Sequence, residues 1–392
     1  MRRIFEPFHT HTNYYERHMN STTIRFTASL ISILLAFNIN AQVKFVNEFL
    51  NIGVGAKAHG MFGSVVATVD DGTAGYWNTA GLTQIQNPLE INAMHANWFG
   101  GLANYDYLSI TKKLSGKRPA AAGISVIRMG VDNIPNTLSL IGPDGNVDVN
   151  QVTEFSASDL AILLSYAQAL NSSGNFSIGG NIKIINRRIG SFATAWGFGA
   201  DLSAQWRGKH FSYGVSARDI TTTWNTWTFT LTEQEKAVFR DTDNEIPISS
   251  TESTIPRVII GAAYHGSRNN ISYVAEADLN ISTNGTKAGV FSGENISIDP
   301  SFGVELGYAN KVFVRAGLGN IQSVLNPENT ANTSFEFQPN VGLGVSLGKV
   351  QVDYALTNIG SVSGVLVSHI FSLKLAFTAR QRVQEAQKVD EL

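Results

Sequence analysis

The chain has 392 residues, 43% hydrophobic and 15% charged, with a formal net charge of -2, 36 glycines, 22 phenylalanines and no cysteine. That composition excludes a disordered chain, a collagen-like repeat and a disulfide or cysteine-ligated zinc scaffold. A balance of 29 basic against 31 acidic residues leaves no general electrostatic case for a nucleic-acid partner.

The first distinctive element is the apolar run FTASLISILLAF, Phe26 to Phe37, preceded by Arg25. At about 1.5 Å per residue it is too short to cross roughly 30 Å of hydrocarbon as a helix. A basic flank, a short apolar run and the small residue Ala41 instead fit a secretory signal cleaved before Gln42. Residues 1–41 are therefore expected to be a leader, with synthesis starting at Met1 or at Met19. Export without cysteine leaves packing and hydrogen bonding as the sources of stability.

Residues 42–88 lack the strand pattern of the remaining chain. They are rich in Gly and Ala, with Asp70, Asp71 and Gly72 reading as a turn and Trp77, Asn78, Ala80 and Gly81 as part of a compact bend. Small residues permit close backbone approach in a confined space, and the Phe, Val and Trp content calls for burial. The segment is expected to fold as a hatch into the lumen of a barrel.

From Leu89 onward the dominant period is two, which sends successive side chains to opposite faces of a strand. Trp196, Phe198, Ala200, Leu202, Ala204 and Trp206 alternate with Gly197, Gly199, Asp201, Ser203 and Gln205. The same pattern recurs around Tyr273 and Leu279, around Leu306, and around Val341 and Leu343. About fourteen strands are predicted: 89–98, 104–114, 120–131, 156–168, 175–185, 194–207, 211–217, 256–264, 271–281, 301–308, 312–319, 337–348, 350–357 and 368–377. Connections after even-numbered strands are short, whereas 132–155, 218–255, 282–300 and 320–336 are long. Tight turns at one end and long loops at the other, on an even number of amphipathic strands, predict an all-β fold. It is an antiparallel transmembrane β-barrel in the outer membrane, in contact with membrane lipid, with the hatch in its lumen. Residues 89–377 form that barrel and 378–392 a polar tail.

With the apolar set facing lipid, Asp159, Lys183, Asp201, Glu276, Asp278, Glu305, Arg315, Asp353 and Lys374 face inward. Both signs occur on neighbouring strands. Lys183 is expected between Asp159 and Asp201, Glu305 beside Arg315, and Asp353 beside Lys374, as cross-strand pairs in a filled lumen. In the 218–255 loop, Trp224, Trp227 and Phe229 are candidates either for partner binding or for an interfacial aromatic belt. Asp241, Asp243 and Glu245 nearby offer oxygens of the type calcium accepts, but without an EF-hand's glycine and terminal glutamate they read as solvated acids. No nucleophile elbow, paired-carboxylate signature or histidine metal spacing stands out, so neither enzymatic activity nor a cofactor or metal is expected.

The stretch EFLNIGVGAKAHGMFGSVVATVDDGTAGYWNTAGL (48–82), the tract SASDLAILLSYAQALNSSGNFSIGGNIKIINRRIG (156–190) and the ending SHIFSLKLAF (368–377) resemble the PorV/PorQ family. That family belongs to the FadL-like group of fourteen-stranded outer-membrane barrels of Bacteroidota. The family's usual Asn-Pro-Ala-Gly reads Asn78-Thr79-Ala80-Gly81 here. The resemblance implies a non-enzymatic accessory of type IX secretion, with a translocon component, a surface protein or secreted cargo bearing a C-terminal signal domain as partner. The alternative is a FadL-like transporter of hydrophobic small molecules, distinguished by an apolar, ligand-sized cavity between loops and hatch.

Overall fold

The structure, a computed structural model, describes residues 46–138, 140, 146–283, 291–293, 296–325, 333–359 and 367–377. The leader, its cleavage point and the tail lie outside the described residues.

Alternation builds the wall. The chain enters it with β1 (Leu89–Trp98), β2 (Ala103–Leu114), β3 (Ala120–Asn136), β4 (Thr153–Ala169), β5 (Phe176–Ile189), β6 (Ala193–Arg207) and β7 (Phe211–Arg218). Two short strands follow, β8 (Trp224–Phe229) and β9 (Ser250–Ser253), separated by the helix α1 (Glu233–Asp241). The wall resumes with β10 (Arg257–Arg268) and β11 (Ile271–Ser282), then, after the two-residue β12 (Phe291–Ser292), with β13 (Ser297–Tyr308), β14 (Val312–Leu325), β15 (Thr333–Leu347), β16 (Val350–Thr357) and β17 (Ser368–Phe377). Each long strand pairs antiparallel with the next, β7 with β10 and β11 with β13, and β17 returns to β1 through Leu89 opposite Phe377. The fourteen long strands thus close a barrel without an edge. Several extend past their predicted ends, β3 to Asn136, β5 to Ile189 and β14 to Leu325, because long-loop ends continue the ladder beyond the apolar belt.

Most outward side chains are apolar all around the wall, including Trp196, Phe198, Leu202, Leu279, Leu306, Val341 and Leu343, while His95, Asp106 and Arg128 form an exposed ion-pair cluster on β1 to β3. An apolar surface that continuous is incompatible with water and requires lipid. Leu202, 57% exposed, tests this directly. Leu202→Arg is expected to destabilise the barrel by about 2–4 kcal/mol, whereas Val149→Arg, in an exposed loop, leaves it unchanged. Equal unfolding midpoints for the two variants would contradict the assigned faces.

Among the described residues the wall is interrupted between β7 and β8. β6 pairs with β7 over residues 202–207 and with β8 over 193–198, so residues 199–201 face the connecting loop. There Asp219 and Thr222 have φ of 55° and 52°, and Arg218, Asp219 and Thr223 are buried. The Ile220 amide donates to the Ala200 carbonyl (3.0 Å), and the Ala200 amide donates to Thr221 Oγ1 (3.1 Å), which closes the gap. Among the described residues no helix is long and apolar enough to cross a membrane.

Candidate functional site: the lumen

The amino-terminal segment runs through the barrel from the loop end to the turn end. At the loop end Asn47 donates to Thr254 Oγ1 (3.0 Å) and accepts from Asn225 (2.8 Å). At the turn end Gln84 donates to the Gly174 carbonyl (2.9 Å), and Lys113 donates to that of Gln86 (3.0 Å). Between these points lie a short helix, α2 (Ala56–Gly60), a second, α3 (Ala74–Trp77), and the 3-10 turn Thr79–Gln84. The hydrophobic core is therefore inside the barrel. Val54, Met61, Trp77, Leu82 and Ile85 pack with Tyr105, Ile127, Leu163, Ile185 and Ile370 of the wall. Each fully buried side chain of this size contributes about 1.5–3 kcal/mol.

Small residues let the backbone lie directly on the wall. A methyl group at Gly214 would overlap the Val66 carbonyl, and one at Gly317 would overlap the Met61–Phe62 peptide. Polar contacts then fix the register. On β11, Glu276 and Asp278 point inward as acceptors: Asp278 Oδ2 takes the Val65 and Val66 amides (3.1 and 3.2 Å), while Glu276 takes the Ala67 amide (2.5 Å) and the Thr68 hydroxyl. Gln205 donates to the Ala67 and Val69 carbonyls (3.1 and 3.2 Å). Asn340 donates to the His59 carbonyl (2.9 Å).

The bend residues divide these tasks. Asp71 accepts from the Thr73 amide (2.8 Å) and hydroxyl (2.5 Å), which shapes the turn before α3. Asp70 lies 3.5 Å from both Lys57 and Arg207, linking the segment to itself and to β6. Trp77 Nε1 donates to the Val54 carbonyl (2.8 Å). Asn78 donates to the carbonyls of Val66 (2.8 Å) and Ala204 (3.0 Å), and the Ala80 amide reaches Ser203 Oγ (3.0 Å). Gly81 is glycine because a Cβ there would strike the Val69 carbonyl. Arg218 places its guanidinium over the rings of Tyr76 (4.3 Å) and Trp77 (5.5 Å).

The inward charges form three clusters, with partners partly different from the expected ones. Glu305 and Arg315, opposite each other on β13 and β14, bond at 2.5 Å. Arg315 also reaches Asp353 (2.7 Å) on β16, across the whole width of β15, where Gly342 and Gly344 leave room for the guanidinium. Asp353 is thus Arg315's partner, and Lys374 makes no ion pair among the described residues. Lys183 bonds Asp201 (2.8 Å) and Asp219 of the wall interruption. Asp159 pairs not with Lys183 but with Arg187 (2.8 Å), because the register places Arg187 directly opposite it and sets Leu163 opposite Lys183. Asp219, Arg187 and Arg218 sit at strand ends whose inward turn periodicity alone does not reveal.

The 218–255 aromatics do not share a face. Trp227 is 7% exposed, donates from Nε1 to Glu252 (3.0 Å), carries Arg187 over its ring (5.2 Å) and stacks on Phe229. Trp224 points outward onto Phe198 (5.5 Å). Spacings of three and two within a strand send Trp224 to one face and Trp227 with Phe229 to the other, so the three rings do not form one cluster.

Two interior cavities, of about 30 and 10 Å³, border Lys57, Asp71 and Lys374, and Lys183, Arg218 and Arg257, respectively. Each has room for water alone.

No family model matches this chain, and no curated protein does. Among solved structures, the toluene transporter TodX of Pseudomonas putida is similar with a TM-score of 0.53 at 12% identity, over 83% of this chain and 98% of that one. The CymD monoaromatic hydrocarbon channel is similar at 0.50 and 12%, with the same coverage. A FadL homologue of Pseudomonas aeruginosa gives 0.45 at 12% identity, over 82% of this chain and 97% of that one. At these identities the likeness concerns the fold alone, a closed antiparallel barrel of fourteen strands.

Proposed function

We propose that this protein is an outer-membrane barrel that admits small hydrophobic molecules, with the segment 46–88 acting as the plug that closes its lumen at rest. Its short turns then face the periplasm and its long loops the exterior. The observation that carries the reading is the fold shared with TodX, a toluene transporter, and CymD, a monoaromatic hydrocarbon channel. The wall interruption at 219–223 adds support, since a gap closed by a few hydrogen bonds and one buried Lys183–Asp219 contact is where an apolar solute would pass between lumen and lipid.

A second reading, a PorV-like accessory that binds a type IX translocon component, a surface protein or secreted cargo, is favoured by the interior cavities, which are too small for a hydrocarbon ligand in this conformation. One experiment separates the two. Cells lacking their own hydrocarbon transporter and expressing this protein are expected to take up radiolabelled toluene faster than empty-vector cells. Equal initial rates, together with co-purification of a secretion component, would support the accessory reading instead.

A further inference from the structure

The outer wall carries a pit in its apolar belt. The pairing register lines up Tyr213, Ala262, Ala277 and Phe302 across β7, β10, β11 and β13, and in the next row towards the turns Phe211, Tyr264, Ala275 and Val304. Three alanines thus make a floor between large side chains, leaving a concavity of about 420 Å³. The flanking backbones are three strand spacings apart, about 14 Å, with the rings of Tyr213, Phe211 and Phe302 standing on either side of the floor. A hydrocarbon chain fits a concavity of this size and apolar lining.

On its turn side the pit meets aromatic rings and then cations. Phe211 and His210 pack on Tyr264 (5.2 and 6.3 Å), and Tyr264 packs on Tyr273 (5.9 Å). Lys209 is two residues beyond Phe211 and Arg268 four beyond Tyr264, about 7 and 13 Å along the strands. Both are exposed, and neither makes an ion pair among the described residues. Their setting is one-signed: the six tight turns and their flanks hold Lys112, Lys113, Lys117, Arg118, Lys209, Arg268, Lys311 and Lys349, without an Asp or Glu. Connections at the opposite end contain Asp148, Glu154, Asp241, Asp243 and Glu245. We propose that the pit and the cations beside it form a binding site for an anionic phospholipid of the turn-end leaflet. An acyl chain lies over Ala262, Ala275 and Ala277, and the phosphate is held by Lys209 and Arg268. Apolar burial and charge complementarity then act on the two ends of one molecule, which only a lipid of that leaflet supplies.

Native mass spectrometry of the full chain with added phosphatidylglycerol or phosphatidylcholine tests this. The unmodified protein is expected to retain phosphatidylglycerol selectively. Lys209→Gln with Arg268→Gln should weaken that retention by about fivefold per cation, or about thirtyfold together. Lys117→Gln with Arg118→Gln, on the far side of the barrel, should leave it unchanged. Ala275→Leu, or Ala275→Phe if that barrel folds, should abolish it by filling the floor. Equal retention of the two lipids, equal loss from the distant pair, or undiminished retention with the floor filled would each overturn the proposal. So would displacement by inorganic phosphate, which would identify an ion site without an acyl chain.

Discussion

Replacing Arg315 with Met should cost about 3–5 kcal/mol of barrel stability, read as a lower urea midpoint of tryptophan fluorescence in detergent. Arg315 is 2% exposed and bonds Glu305 at 2.5 Å and Asp353 at 2.7 Å, so its loss leaves two buried carboxylates without a counter-charge. The first carbon of the Arg315 side chain also forms part of the surface on which Gly60 rests, beside Gly342. Removing all three charges, as Glu305→Gln, Arg315→Met and Asp353→Asn, should recover most of the loss, because no unpaired charge then remains. A triple variant as unstable as Arg315→Met alone would mean that packing of the side chain, rather than compensation of charge, holds this part of the barrel.

Deleting residues 46–76 should convert a nearly silent barrel into one with a large, steady conductance in planar bilayers. The segment occupies the lumen from Asn47 at the loop end to Gln84 at the turn end, and beside the apolar core its surroundings include many polar groups: Glu276, Asp278, Gln205, Asn340 and the serine hydroxyls of β2 to β4. Water and ions would fill that space once it is vacated. The deletion also removes the amides that Glu276 and Asp278 accept, but those carboxylates would then be solvated rather than stranded. An intact protein that already conducts as well as the deletion would refute the closed lumen.

Much of this architecture is legible in the sequence because a barrel wall imposes a single rule. Alternation at Trp196 to Trp206 or Phe302 to Tyr308 marks each strand and its two faces, and in a closed barrel the apolar face is the one turned to lipid. Register does not. Asp159 and Lys183 are both inward, yet only the pairing of β4 with β5 shows that Arg187, four residues further on, stands opposite Asp159. The Arg315–Asp353 bond is hidden for a different reason: it skips a strand, which two inward glycines permit and no pairwise rule anticipates. In the 218–255 loop, Trp224, Trp227 and Phe229 look like a cluster in the chain, whereas strand geometry divides them between two faces. Glu276 and Asp278 are recognisable as inward acids, but their partners are backbone amides, which carry no signature in side-chain sequence.

The central claim, that passage of a hydrophobic molecule requires the amino-terminal segment to move, can be tested by tethering it. The chain has no cysteine, and Ser64 Oγ lies 2.9 Å from Ser301 Oγ of β13, so Ser64→Cys with Ser301→Cys brings two sulfurs within bonding reach. Cells expressing this variant are expected to take up radiolabelled toluene at the normal rate when reduced, to lose that uptake on oxidation and to regain it on reduction. Unchanged uptake in the oxidised variant, with the disulfide verified, would contradict the claim.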